Sequence, residues 1–228
     1  MSEADFPKES DTVTYKSYFS AIAGLKGASQ IAIESLGSWF TNTPTFPSEE
    51  KLYVSGSDSG SNAVTAAVRA ARYKTKREKI AYCGSGGVWH DWQAAMVSRD
   101  GGVPNFNEEL IKIFDYNDSD GLEQIFEDNP NKIAAIVLEP TQFEEPNNTF
   151  LQKVRKIAND NDSLLILDEI VTGFRFDLAG GQKYFGIKGD LVCFGKGMSN
   201  GLPLSAITGP TEFMKTFDDL WVSSTNNS

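Results

Sequence analysis

The chain has 228 residues, with 21 Lys plus Arg against 31 Asp plus Glu and a formal charge of -10 at pH 7. Its 20 glycines and 9 prolines are close to background usage, which excludes a collagen-like or wholly disordered chain, and the acid excess argues against a general nucleic-acid binder. Two cysteines cannot build a disulfide framework or a four-cysteine zinc site, so no metal is expected.

The first sixteen residues are acidic and polar, with no basic segment leading into an apolar run, so they read as something other than a secretory leader. No stretch approaches a membrane span. The expectation is a cytoplasmic protein with no membrane partner. Residues 1–50 read as an N-terminal arm. Ser17 to Leu36 has some helical character that Gly24 and Gly27 weaken, and Pro44 and Pro47 mark a loop. Residues 51–228 read as the main domain.

Within it, Ser61 to Tyr73 places Val64, Ala67, Val68 and Ala71 on a helical period. Lys79 to Cys83 is a short strand, Trp89 to Val97 a helix candidate, and Glu108 to Phe114 is ambiguous. Leu122 to Glu127 reads as a short helix and Lys132 to Glu139 as a strongly apolar strand. Phe150, Leu151, Val154, Ile157 and Ala158 form an amphipathic helix, with Asn147 to Thr149 offering a cap. Ser163 to Leu167, Asp190 to Phe194 and Leu204 to Thr208 are further strands. Alternating helices and uninterrupted apolar strands predict an α/β fold with a mostly parallel sheet covered on both faces. Ligands of such folds sit beyond the carboxyl ends of the strands, which directs attention to the residues that close each strand.

Four places stand out. Ser59-Gly60-Ser61 opens a helix, where small residues and backbone N–H groups suit an anion; a capped helix with no ligand is the alternative. Gly84-Ser85-Gly86-Gly87 fails the dinucleotide fingerprint because residue 89 is Trp; Trp89 and His90 follow, able to stack on a planar ligand or simply to pack. His90 is the sole histidine, and alone it reads as structural. Asp168-Glu169 closes an apolar strand. The two acids point to opposite faces, so one can meet a ligand while the other pairs with a cation such as Arg175. No phosphate-binding Gly-Lys loop accompanies them, which excludes an ATPase reading. Lys196, between Gly195 and Gly197, follows the next strand, where its amine is either a surface charge or a nucleophile. An anion site, a strand-end carboxylate and an amine together suit pyridoxal phosphate.

These residues carry a resemblance. The run Leu165-Ile166-Leu167-Asp168-Glu169-Ile170-Val171-Thr172-Gly173-Phe174-Arg175, then Gly181-Gln182-Lys183-Tyr184-Phe185-Gly186, Asp190-Leu191-Val192-Cys193-Phe194-Gly195-Lys196-Gly197 and Asn200-Gly201-Leu202-Pro203-Leu204-Ser205-Ala206 resembles the class III aminotransferases, the glutamate-1-semialdehyde aminomutases among them. The resemblance implies the large domain of a fold-type-I pyridoxal phosphate enzyme, without the family's C-terminal small domain. It implies that Lys196 bonds the cofactor aldehyde and moves the substrate proton, and that Asp168 pairs with the ring nitrogen. Ile170 and Trp89 would flank the ring, Gly60 and Ser61 would hold the phosphate, and Thr225 would reach the phosphate of a neighbouring subunit. The implied cofactor is pyridoxal 5'-phosphate, the partner a second copy of the chain in a homodimer, and the substrate a small amino acid or amino-aldehyde. The implied activity is amino-group transfer or aminomutation, with a diverged, non-catalytic binding homologue as the alternative.

Overall fold

The computed structural model describes residues 59–83, 90–94, 101–103, 109–147, 149–177, 179–198 and 205–220. The proposed arm, Trp89 and Thr225 lie outside them.

The first element, α1 (Gly60–Thr75), is built on alanine, and its buried face is Ala63, Val64, Ala66, Ala67, Val68, Ala70 and Ala71. Side chains this small let the helix lie close to a sheet, and alanine is the best helix former. Ser59 caps it by accepting the N–H of Asn62 at 3.4 Å, and Lys76 ends it in a left-handed conformation at φ 57°. Strand β1 (Lys79–Cys83), the short helix α2 (Asp91–Ala94) and strand β2 (Ile111–Ile113) follow. Helix α3 (Ser119–Asp128) starts where the Asp118 carboxylate accepts the N–H of Gly121 at 2.9 Å. Strand β3 (Ile133–Leu138), helix α4 (Phe150–Asp160) and strand β4 (Leu164–Asp168) match the predicted segments within a residue or two. The cap on α4 comes from Asn147, whose side-chain oxygen accepts the N–H of Phe150 at 2.9 Å. The short helix α5 (Gly181–Tyr184), strand β5 (Leu191–Phe194), strand β6 (Ala206–Thr208) and helices α6 (Thr211–Met214) and α7 (Thr216–Leu220) complete the order.

The six strands form one sheet in the order β2-β1-β3-β4-β5-β6. Its first five are mutually parallel, and β6 runs antiparallel to β5. The link 195–205 is shorter than the helical crossover a parallel return requires, so the last strand doubles back. One face of the sheet is covered by α1, α6 and α7 and the other by α3 and α4. All six residues of β3 are buried, which is why its sequence is an unbroken apolar run. Full burial of each Ile, Leu or Val here contributes roughly 1.5–3 kcal/mol relative to exposure. Among the described residues no helix is long and apolar enough to cross a membrane.

The strand order reverses between β1 and β3. In an open parallel sheet the crevice at such a reversal, beyond the carboxyl ends, is where a ligand fits. The register decides which side chains reach it. Tyr82 pairs with Val137, Val137 with Ile166, and Asp168 with Cys193. All of these therefore share the face that α1 covers.

Candidate active site

Asp168 ends β4 on the α1 face, crowded by protein yet partly open to solvent. One carboxylate oxygen accepts the N–H of Ile170 at 3.1 Å. Loss of solvent pushes its carboxyl up to about 6, against the pull of that N–H and of the Lys196 charge. Lys196 begins a single 3-10 turn, Lys196–Met198, and stands exposed after β5 with a left-handed φ of 36°. The turn is closed by the N–H of Met198 donating to the carbonyl of Gly195 at 2.9 Å. The strand-end acid and the amine thus come from adjacent strands and act on each other electrostatically.

The start of α1 forms the third wall. At Gly60 an added Cβ would lie 2.3 Å from Cδ1 of Ile170, and at Gly195 it would meet the Gly60 Cα at 3.6 Å. Gly60, Ile170 and Gly195 are therefore packed into one another, and only glycine at position 60 permits that approach. The Ser205 hydroxyl donates to the carbonyl of Ser59 at 2.8 Å, fastening the start of β6 to the helix cap. The structure sets Gly60 against Ile170 and Gly195 and puts Asp168 within electrostatic reach of Lys196, and Ser61 lies in the first turn of α1 with Gly60.

One expectation changes. Glu169 makes no ion pair with Arg175. It points to the other face and is fully buried, and its carboxylate accepts the Thr172 hydroxyl, the N–H of Gly181 at 2.8 Å and the N–H of Gln182 at 2.6 Å. Burial raises its carboxyl above the ordinary range, and those three donors oppose the rise. Gly180, at φ 85°, passes so close that a Cβ there would stand 2.6 Å from Oε1 of Glu169. Glu169 thus pins the segment 179–182 beneath the site. Nothing in the spacing of the sequence announces that backbone N–H groups more than ten residues away will satisfy it.

His90, in turn, is held by helix α1. Its Nδ1 lies 2.6 Å from the Thr65 hydroxyl, which also accepts the indole N–H of Trp92 at 2.8 Å. This arrangement anchors the start of α2, in keeping with the structural reading of the lone histidine.

Sequence reasoning gave no role to Glu139, next after β3. Desolvation raises its carboxyl to about 7, Asp168 adds to the rise, and Lys196 opposes it. The strand-end rule that singled out Asp168 would have found it. On β1, the buried hydroxyl of Tyr82 is likewise held protonated by desolvation first, and then by the charges of Asp168 and Glu139.

The shift at Asp168 has a consequence for stability. Its folded value, about 6, exceeds its ordinary value of 3.8, so between those limits the unfolded chain binds fewer protons than the folded one and stability falls as pH rises. The sign is that of an acid made harder to ionise by folding. In thermal unfolding of the cofactor-free chain, Asp168→Asn is expected to melt above wild type at neutral pH. The gap should close as the pH is lowered below the ordinary carboxylate range, and a gap independent of pH would contradict the assignment.

A profile of the aminotransferase class-III family matches residues 30–226. Among curated relatives, a 3-aminobutyryl-CoA aminotransferase from Cloacimonas acidaminovorans is 42% identical over 173 residues, which is 73% of this chain and 41% of that protein. A glutamate-1-semialdehyde 2,1-aminomutase from Alkaliphilus oremlandii is 38% identical over 174 residues, 69% of this chain and 41% of the relative. The chain therefore spans about two fifths of the length of the curated relatives it matches. Among solved structures, an omega-transaminase from Sphaerobacter thermophilus superposes with a TM-score of 0.74 at 25% identity, covering 94% of this chain and 53% of that one.

Proposed function

The chain belongs to the class-III aminotransferase family, and on that premise we propose that it is the large-domain part of an enzyme that moves amino groups with pyridoxal 5'-phosphate. The observation that carries this reading is the convergence of Asp168, Lys196 and the Gly60 start of α1 at neighbouring strand ends. The fit is chemical as well as spatial. A carboxyl that desolvation drives toward neutrality gains most from a cationic ring nitrogen beside it. Glycine backbone at a helix N-terminus suits a phosphate.

When bound, pyridoxal phosphate supplies an aldehyde that takes up amines and a protonated ring that accepts electrons from the substrate. This chain's residues do the rest. Lys196 would hold the cofactor through its amine and would take up and return, at Nζ, the proton on the substrate carbon next to the amino group. Asp168 keeps the proton on the ring nitrogen. Gly60 and Ser61 present backbone N–H groups to the phosphate, and Ile170 packs on one ring face. Trp89 for the other face and Thr225 for a neighbouring subunit's phosphate belong to the same proposal, as does a homodimer acting on a small amino acid or amino-aldehyde in the cytoplasm. Residues 51–228 would form the cofactor domain and 1–50 its arm.

The test is spectroscopic. Mixing the 228-residue chain with pyridoxal phosphate is expected to give a visible absorbance band that borohydride fixes onto the Lys196 peptide and that Lys196→Ala abolishes. A chain with no lysine-dependent band is a non-catalytic homologue, and the proposal fails.

A further inference from the structure

The roles above leave Glu139 unused. Parallel pairing sets Leu138 beside Leu167, so Glu139 and Asp168, each the next residue along, stand side by side on the face that α1 covers. Tyr82 approaches from β1, Cys193 flanks Asp168 on β5, and Lys196 arrives from the turn after β5. The first turn of α1 brings no acid, and its residues 60–63 carry no charge. Two carboxyl groups at the rim of an apolar sheet cannot both ionise without cost, because each raises the energy of the other's charge. Lys196 is within electrostatic reach of both.

We propose that Glu139 is a positioning residue of this pocket, acting through Asp168: the two form a coupled carboxyl pair whose proton count sets how strongly the site holds its cofactor across neutral pH. The proposal rests on the pyridoxal phosphate reading. Such pairs titrate as a unit, and the second ionisation of this one falls near 7. With Glu139 protonated the pair has one negative charge, on Asp168. With Glu139 ionised a second charge lies beside both the ring and the lysine.

The experiment is a pH series of cofactor dissociation constants for the full chain, with a parallel carboxyl NMR titration of the cofactor-free chain. Wild type is expected to show an inflection near pH 7. Glu139→Gln should remove it and Glu139→Asp should retain it at a shifted pH. Ionisation of the ligand itself is common to all three proteins and cancels in the comparison. An inflection that survives in Glu139→Gln, or is missing from wild type, overturns the proposal. If wild type binds no cofactor, the functional reading has failed and the NMR arm decides on the pair. A Glu139 carboxyl that titrates near neutrality and moves down in Asp168→Asn upholds it, and one that titrates in the ordinary range or ignores that substitution overturns it. Lys196→Ala, at an exposed side chain, provides a second check because loss of the cation should move the Glu139 titration up.

Discussion

Glu169→Ala is expected to cost about 3–5 kcal/mol of folding stability, near the upper end for a single substitution. The carboxylate is fully buried and holds three donors: the Thr172 hydroxyl and the N–H groups of Gly181 and Gln182. Alanine leaves all three without an acceptor where water does not reach, and each unmet buried donor costs roughly 1–3 kcal/mol. It also opens a small void beside Gly180, whose φ of 85° and closeness to the carboxylate leave the backbone little scope to collapse inward. Urea unfolding reads the effect as a lower midpoint at unchanged slope. Glu169→Gln restores the shape and one acceptor oxygen and should recover part of the loss. A midpoint within error of wild type for Glu169→Ala would mean that segment 179–182 is held by something else.

Asp168→Ala is expected to have a small effect on folding and a large one on chemistry. Its carboxylate pays for desolvation with a single backbone N–H from Ile170, so removing it deletes more strain than bonding. On the proposed function the same deletion removes the charge that keeps the ring nitrogen protonated. Electrostatic partners of this kind are worth about 10²–10³-fold in rate. Single-turnover conversion of bound cofactor by an amino substrate should slow by that order, while the lysine-dependent absorbance band persists. Equal rates for wild type and Asp168→Ala would remove Asp168 from the mechanism.

Much of this architecture is legible in the amino-acid sequence. Strands β3 and β4 announce themselves because sheets covered on both faces need side chains that are apolar on both sides, and that makes continuous runs such as Ile133 to Leu138. The strand-end rule then leads to Asp168 and Lys196, since a charge closing an apolar strand has few reasons to be there. Other features are silent in sequence for physical reasons. Strand β2 is short and sits at an edge, with Ile113 39% exposed, so its pattern is neither a clean alternation nor a run. The direction of β6 depends on the length of a link rather than on its own residues. The partner of Glu169 is backbone, which carries no residue-specific signal at all. Arg175 looked eligible because it is a cation six positions on, but the acid's side of the sheet is decided by the two-residue period of the strand. Glu139 was reachable by the rule that found Asp168.

The hydrogen bond from Ser205 to Ser59 joins residues 146 positions apart, and Gly60 meets Gly195 across a similar span. Contacts so distant along the chain close late, because the loop entropy must be met before they can form. During synthesis the Gly60 start of α1 therefore emerges long before the segment it packs against. The pocket comes into being only when the segment through residue 205 has left the ribosome and β6 has turned back along β5. On the proposed function, cofactor capture is accordingly an event of the finished sheet, so pyridoxal phosphate added during refolding should leave the folding phases unchanged and slow unfolding.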